Sequence, residues 1–135
     1  MQMRAHAVEQ ASLLLGRLAF RINRAVKLAN PDSIHDLRVA IRRFVRCLRI
    51  FRQFFPSSDS KKIRRQLIQV MSLADEVRDR DIALALCHEA GLPRTAALTA
   101  RLIEERKEAE QGLAAQLKRL AKRDPSLKWR KRLRL

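Results

Sequence analysis

The sequence predicts an all-α protein, an antiparallel four-helix bundle of long amphipathic helices. Apolar residues recur at three- and four-residue spacing through most of the 135 residues, which is typical of helices that bury one face. No segment shows the alternation of apolar and polar residues that indicates a strand. All four prolines fall between the periodic segments, and the links are short, which favours an up-and-down bundle.

The first two helices are separated by NPDS at residues 30–33. The first is expected over about residues 3–29, where apolar side chains from Val8 to Val26 share one face. Pro31 suits the first turn of the second helix, which is expected to continue to about Phe54.

The third and fourth helices are bounded by two further breaks. FFPSSDS, at residues 54–60, supplies a proline stop and Ser/Asp caps before a third helix that ends near Glu89. AGLPR, at residues 90–94, separates it from a fourth helix that is expected from about Arg94 to Lys122. We therefore expect one bundle over residues 1–122, followed at residues 123–135 by a basic tail or a short fifth helix.

The charge balance indicates a polyanionic partner. Lys and Arg number 30 against 14 Asp and Glu, which gives a formal net charge of +16. Such an excess repels itself in the folded state, so a partner of opposite charge is the expected reason for it. Nucleic acid, anionic membrane, inorganic polyphosphate and acidic protein all fit this charge. The 47% apolar content excludes a disordered polyelectrolyte.

Neither the N-terminus nor any apolar run predicts export or membrane insertion. No run approaches the roughly 20 residues that cross a bilayer, and MQMRAHAVEQ lacks the apolar core of a signal peptide. Cys47 and Cys87 fall in helical patterns far apart, as expected for reduced, buried thiols. A cytoplasmic protein is expected.

The second helix carries a basic stripe beside its apolar face. At about 100° per residue, one side of the helix holds a set that we call the basic stripe: His35, Arg38, Arg42, Arg46 and Arg49. Like charges at this spacing destabilise a helix, and a bound anion relieves the repulsion. The planar guanidinium group favours oxyanions, and the repeat suits a repeating polyanion. The alternatives are a solvated surface or pairing with acids of the fourth helix.

Basic residues of two neighbouring helices extend this pattern. Arg17, Arg21 and Arg24 recur at helical spacing on the first helix. The start of the third helix adds Lys61, Lys62, Arg64 and Arg65. If these helices are neighbours, their basic faces merge into one positive field.

Two motifs resemble the CHAD family, the conserved histidine α-helical domain. They are HDLRVAIRR at residues 35–43 and VRDRDIAL at residues 77–84. The resemblance covers about residues 1–122 and implies a non-catalytic helical module that binds inorganic polyphosphate, associated with polyphosphate granules. The residues that match the family's binding motif or contribute beside it are His35, Arg38, Arg42, Arg43, Arg46, Lys62 and Arg65.

The chain departs from the family pattern in its length. CHAD domains typically contain two four-helix halves related by approximate two-fold symmetry, whereas one motif and one set of four helices are found here. The chain is therefore a fragment or a half that pairs with a second copy. We expect a homodimer that rebuilds the two-fold arrangement.

Several motif residues have a structural interpretation. Arg78 and Asp81 lie near the apolar side of the third helix, where we expect an internal ion pair or hydrogen-bond network. We expect His35 either to form a structural hydrogen bond near the start of its helix or to contact phosphate. We expect no metal site, because His6, His35 and His88 are far apart and lack an acidic cluster.

Catalysis is not expected, and nucleic-acid binding is the alternative function. The sequence has no phosphate-binding glycine loop, zinc-protease motif or nucleophile-base pair, and no cofactor is predicted. Nine Lys or Arg residues against one Asp between residues 118 and 135 suit nonspecific binding to nucleic-acid phosphates. The chain has no tyrosine and only Trp129 plus five phenylalanines, so base stacking is poorly provided for. Acidic protein or anionic lipid is a third candidate for the tail.

Overall fold

The chain is all-helical in the computed structural model, which describes residues 2–135. This confirms the predicted all-α class, and no strand is present in that range. A single 3₁₀ turn follows the second helix at Arg52–Phe54. The α-helices are α1 (Gln2–Lys27), α2 (Pro31–Ile50), α3 (Ser57–Glu89), α4 (Ala97–Lys122) and α5 (Pro125–Arg132).

Each of the four long helices packs against two others. Helix α1 contacts α2 and α4, and α3 contacts the same two helices. The residues between them form one apolar core that all five helices share, centred on fully buried side chains such as Leu15, Phe44, Leu67 and Leu117. Burial of this apolar surface is the main force that holds the helices together.

The link between α1 and α2 is fixed by a reciprocal cap. The Asn30 side-chain oxygen accepts from the Ser33 backbone N–H at 2.8 Å, and the Ser33 hydroxyl oxygen accepts from the Asn30 N–H at 3.1 Å. Pro31 occupies the first turn, as the sequence predicts. This cap fixes the start of α2 and therefore the position of the basic stripe.

Two predicted helix ends differ from the structure. Helix α2 ends at Ile50, before the predicted limit at Phe54, because the chain tightens into the 3₁₀ turn. Helix α4 begins at Ala97, three residues after the predicted start, because residues 93–96 form a turn in which the Ala96 N–H donates to the Pro93 oxygen.

The C-terminal segment is a short fifth helix and part of the core. The Asp124 side chain caps α5 by accepting from the Leu127 N–H at 3.4 Å. Trp129 is 3% exposed and stacks on Phe44, with ring centroids 6.3 Å apart and planes within 5°. Leu133 is also buried. Of the two expectations for this segment, the structure selects the helix.

None of the helices within residues 2–135 has the length and apolar content that crossing a membrane requires.

Candidate functional site

Helix α2 divides into a buried apolar face and an exposed basic ridge. Its inner face, which includes Ile34, Leu37, Ile41, Phe44 and Leu48, is at most 1% exposed. The core therefore fixes the rotation of the helix. The surface beside and opposite this face leaves five basic side chains exposed, which we call the basic ridge: His35, Arg42, Arg43, Arg46 and Arg49.

A groove between α1 and α2 collects part of this ridge. Its volume is about 710 Å³, and both helices line it. Its basic side chains are Arg17 and Arg21 from α1 and His35 and Arg43 from α2. The acid Asp36, Gly16 and apolar side chains such as Phe20 form the rest of its wall. The groove therefore joins the predicted basic residues of α1 to those of α2.

The remaining arginines of the ridge border α3. Arg42, Arg46 and Arg49 line a shallow groove of about 210 Å³ together with Ile68 and Met71. The basic ridge therefore has a groove on each side.

Arg38 differs from the rest of the predicted stripe. Its Nε donates to Asp75 Oδ1 of α3 at 2.6 Å, and its side chain is only 15% exposed. Pairing with acids of the fourth helix is one expectation for the stripe, but the partner of Arg38 lies on the third helix. Arg38 ties two helices together and is not part of the exposed ridge.

Of Arg17, Arg21 and Arg24 on α1, Arg21 forms an ion pair with α2, whereas the other two form none within residues 2–135. Arg21 Nη1 donates to Asp36 Oδ2 of α2 at 3.2 Å, so it bridges the groove. Its guanidinium carbon also lies 5.3 Å from the centroid of the Phe20 ring, and that of Arg24 lies 5.9 Å from the same ring. This geometry is typical of cation–π contacts. Arg17 and Arg24 are exposed.

On α3 the basic residues nearest to α2 are not those that the family motif indicates. Lys62 and Arg65 are exposed and line neither of the grooves described above. Lys61 and Arg64, one residue earlier in each case, share a cavity with Arg49. A shift of one residue is a rotation of about 100° on a helix, which is enough to change the neighbouring helix.

The expected ion pair between Arg78 and Asp81 is not formed. Asp81 Oδ1 accepts instead from Arg106 Nε of α4 at 2.9 Å, and both side chains are 18% exposed. Arg78 is exposed and lines a small pocket that also contains His35 and Asp81. Asp81 therefore links α3 to α4 through Arg106, and Arg78 takes no part in that contact.

Arg106 joins three parts of the chain, a role that the sequence analysis missed. Besides Asp81 it donates to Glu110 one turn along α4, and its Nη2 donates to the Ala29 carbonyl at 2.8 Å. Burial lowers the pKa of Arg106, but hydrogen bonds and charges from Asp81 and then Glu110 outweigh this and raise it. No sequence spacing links Arg106 to Asp81, because 25 residues separate them.

The histidines and cysteines form no cluster. Within residues 2–135, no group of three or more His, Cys, Asp or Glu side chains is arranged to hold a metal ion. Cys47 and Cys87 are both buried and free, and burial raises the pKa of the Cys47 thiol.

The fold and the surface define an all-helical protein with a concentrated basic ridge, and the family comparison agrees. The family model of the CHAD domain matches residues 10–135, nearly the whole chain. The protein belongs to the CHAD-domain family. The match includes α5, although the motifs alone predict a resemblance that ends near residue 122. No curated protein and no solved structure matches the chain.

Proposed function

We propose that this protein binds inorganic polyphosphate, without catalysis, along the basic ridge of α2 and the adjoining face of α1. The observation that carries the proposal is the exposed state of the five ridge side chains. None of them pairs with a carboxylate anywhere in the part of the chain that the structure describes. Unpaired like charges on one helix face repel each other, and a bound polyanion removes that repulsion.

The dimensions of the ridge suit a chain of phosphates better than one phosphate ester. From His35 to Arg49 the helix rises about 21 Å, at 1.5 Å per residue. Its four guanidinium groups lie in the second half, from Arg42 to Arg49, and each can hold a phosphate through two N–H donors. The buried inner face of α2 keeps these groups in register before a ligand arrives. Membership of the CHAD family agrees with this ligand, since the family is associated with polyphosphate binding.

The proposal includes the arrangement of the helices and of the molecule. We infer that the four long helices form an antiparallel bundle, equivalent to one half of a typical CHAD domain.

We also infer a homodimer, which would place two basic ridges on one particle. Ile82, Leu86, Leu92 and Leu98 are large apolar side chains exposed near the α3–α4 turn, and a second copy would cover such a surface. Sedimentation equilibrium measures the mass of the particle and so tests for the homodimer. A monomer at micromolar concentration would contradict it.

A non-catalytic role follows from the state of the nearby acids. Phosphoryl transfer uses free carboxylates to hold Mg²⁺ beside the phosphates. Asp36 and Asp75, two acids beside the ridge, are each engaged by an arginine, and Asp32 is exposed in the first turn of α2. The surface is therefore suited to holding a phosphate chain. As part of this proposal we assign the protein to the cytoplasm, in association with polyphosphate granules.

Sequence-nonspecific nucleic-acid binding is the second candidate. The basic side chains of α5 and of the residues after it favour it, since Lys128, Lys131, Arg132 and Arg134 are exposed. Against it, the single tryptophan, Trp129, is buried in the core against Phe44 and offers no surface on which a base could stack. Binding through α5 would rest on phosphate charge alone and fall steeply with salt.

One titration separates the two candidates. The protein is titrated with long-chain polyphosphate and with single- and double-stranded DNA of matched charge, at low and near-physiological salt. We expect polyphosphate binding to persist at the higher salt while DNA binding is lost. Equal affinities that fall together would contradict a polyphosphate function and favour a generic polyanion surface.

A further inference from the structure

The corner where α2 ends and α3 begins contains a cavity that lies outside the two grooves beside the ridge. Its volume is about 560 Å³. Four cations and two hydroxyl groups line it, and no carboxylate does: Arg49, Arg52, Ser57, Ser60, Lys61 and Arg64. Asp59, the acid nearest in sequence, is not among the lining residues. The cavity is therefore surrounded by hydrogen-bond donors of positive charge.

Ser60 distinguishes this corner from an ordinary basic surface. The residue is only 2% exposed, and its hydroxyl has no hydrogen-bond partner within residues 2–135. A helical serine usually satisfies its hydroxyl on the carbonyl four residues earlier. Here the Pro56 carbonyl accepts from the Ser60 backbone N–H at 2.9 Å, and the hydroxyl is left over. The oxygen of an anion bound in the cavity would be such an acceptor.

Arg64 repeats the same feature with a charge. Its Nε is buried and likewise lacks a partner among the described residues. A buried guanidinium N–H without an acceptor is costly, and phosphate oxygens are the acceptors that its planar fork matches best. Two unsatisfied donors, one neutral and one charged, therefore border the same cavity.

The start of α3 adds a third source of positive potential. This helix is 33 residues long, and its N-cap residue, Pro56, makes no side-chain hydrogen bond to the first turn. The first N–H groups of a helix have no intrahelical acceptor and carry the positive end of its dipole. Ser57 and Ser60 place this end at the cavity. Such a terminus stabilises a bound anion.

We propose that this corner is a discrete site for a compact phosphate oxyanion: free orthophosphate or pyrophosphate, or the end group of a polyphosphate chain. It differs in kind from the ridge, which is open and presents repeated cations, whereas the corner surrounds one group with donors from several directions. Arg49 belongs to both, so a chain end in the corner continues onto the ridge. A small phosphate is held there whether or not long polyphosphate binds at Arg42 and Arg46.

Titration with pyrophosphate, with the heat of binding measured by calorimetry, tests the site. We expect saturable binding that weakens about tenfold or more in the double variant Lys61→Gln/Arg64→Gln. The matched control is Lys118→Gln/Lys122→Gln, which removes the same charge from exposed positions of α4. The control should bind pyrophosphate as the natural protein does. Equal weakening in both double variants, or no saturable binding by the natural protein, would overturn the proposal.

A charge-neutral substitution gives a second, independent test. Ser60→Ala keeps every charge and removes an unsatisfied hydroxyl, so the thermal stability without ligand should be unchanged or higher. Its affinity for pyrophosphate should fall severalfold, while Ser58→Ala, at an exposed position in the same turn, retains the natural affinity. Unchanged affinity in Ser60→Ala would contradict a role for the buried hydroxyl.

Competition identifies the source of the phosphate and separates this site from the ridge. If long polyphosphate with free ends displaces pyrophosphate and end-blocked polyphosphate does not, the corner holds chain ends. If neither displaces it, the corner holds free small phosphates. Pyrophosphate affinity should also persist in Arg42→Glu/Arg46→Glu. The site at the corner can therefore be confirmed even if the ridge does not bind polyphosphate. Loss of pyrophosphate affinity in that variant would overturn the corner as a separate site.

Discussion

Arg38 of α2 donates from Nε to Asp75 Oδ1 of α3 over 2.6 Å, at the middle of the basic surface. Arg38 lies in the HDLRVAIRR segment on which the predicted resemblance rests, and this contact makes it a link between two helices. It also engages the Asp75 carboxylate, which as a free charge would repel a phosphate chain bound nearby.

We predict that Arg38→Gln lowers stability more than it lowers ligand affinity. Asp75 is 45% exposed, so the pair should contribute about 1 kcal/mol to the free energy of unfolding. Urea unfolding of Arg38→Gln measures that loss, and calorimetry with polyphosphate measures binding. Arg42→Gln is the matched control and should show the reverse pattern. A folded Arg38→Gln that loses as much affinity as Arg42→Gln would place Arg38 on the ligand.

Arg106 should be the most sensitive charged residue for stability. Replacing it with glutamine leaves Asp81 without its charged partner at a site only 18% exposed, which should cost about 2–3 kcal/mol. Arg78→Gln removes the same charge from an exposed position and should stay within about 0.5 kcal/mol of the natural protein. Urea denaturation of both variants makes the comparison. Equal losses would mean that Asp81 also depends on Arg78 in solution.

Helix α5 should unfold together with the rest of the chain. Trp129→Ala removes the ring that stacks on Phe44 and should cost about 3–5 kcal/mol, whereas Trp129→Phe should cost less. Because Trp129 is the only tryptophan, its fluorescence reports on this contact directly. The fluorescence and far-UV circular dichroism transitions in urea should coincide. A fluorescence change that precedes the loss of helix would show that α5 detaches on its own.

Cys47 should make stability fall at alkaline pH. Burial raises the pKa of its thiol above the ordinary value of about 9. The unfolded chain therefore loses this proton at lower pH than the folded chain does. The stabilisation is fully present below the unfolded pKa and is lost as pH rises through the folded one. Urea unfolding between pH 8 and pH 10 should show a smaller decline in Cys47→Ala; an identical decline would rule out this thiol as the cause.

The sequence predicts the helices and the α2 surface because both follow from periodicity within one element. The apolar arc from Ile34 to Leu48 is buried as expected, and the arginines beside it are exposed except for Arg38. The start of α2 was also predictable, since Pro31 marks a first helical turn wherever the helix lies.

Contacts between helices were not predictable from the same spacing. Either Arg78 or Arg106 could form an ion pair with Asp81 on charge alone. Arg78 is the nearer of the two in sequence, but Arg106 is the residue that pairs with Asp81 in the fold. Likewise, periodicity alone does not tell whether Lys61 or Lys62 lies nearer to α2. That depends on how α3 is rotated about its axis, which the packing of its whole buried face determines.

The central claim is that the exposed arginines of the α2 ridge bind polyphosphate. The most direct test is the affinity of Arg42→Glu/Arg46→Glu for long-chain polyphosphate at near-physiological salt, in protein whose circular dichroism confirms the fold. Lys118→Glu/Lys122→Glu is the control with the same change in net charge. We predict a loss of about a hundredfold in the ridge variant and a loss within about threefold in the control. Unchanged affinity in the ridge variant, or an equal loss in both, would contradict the claim.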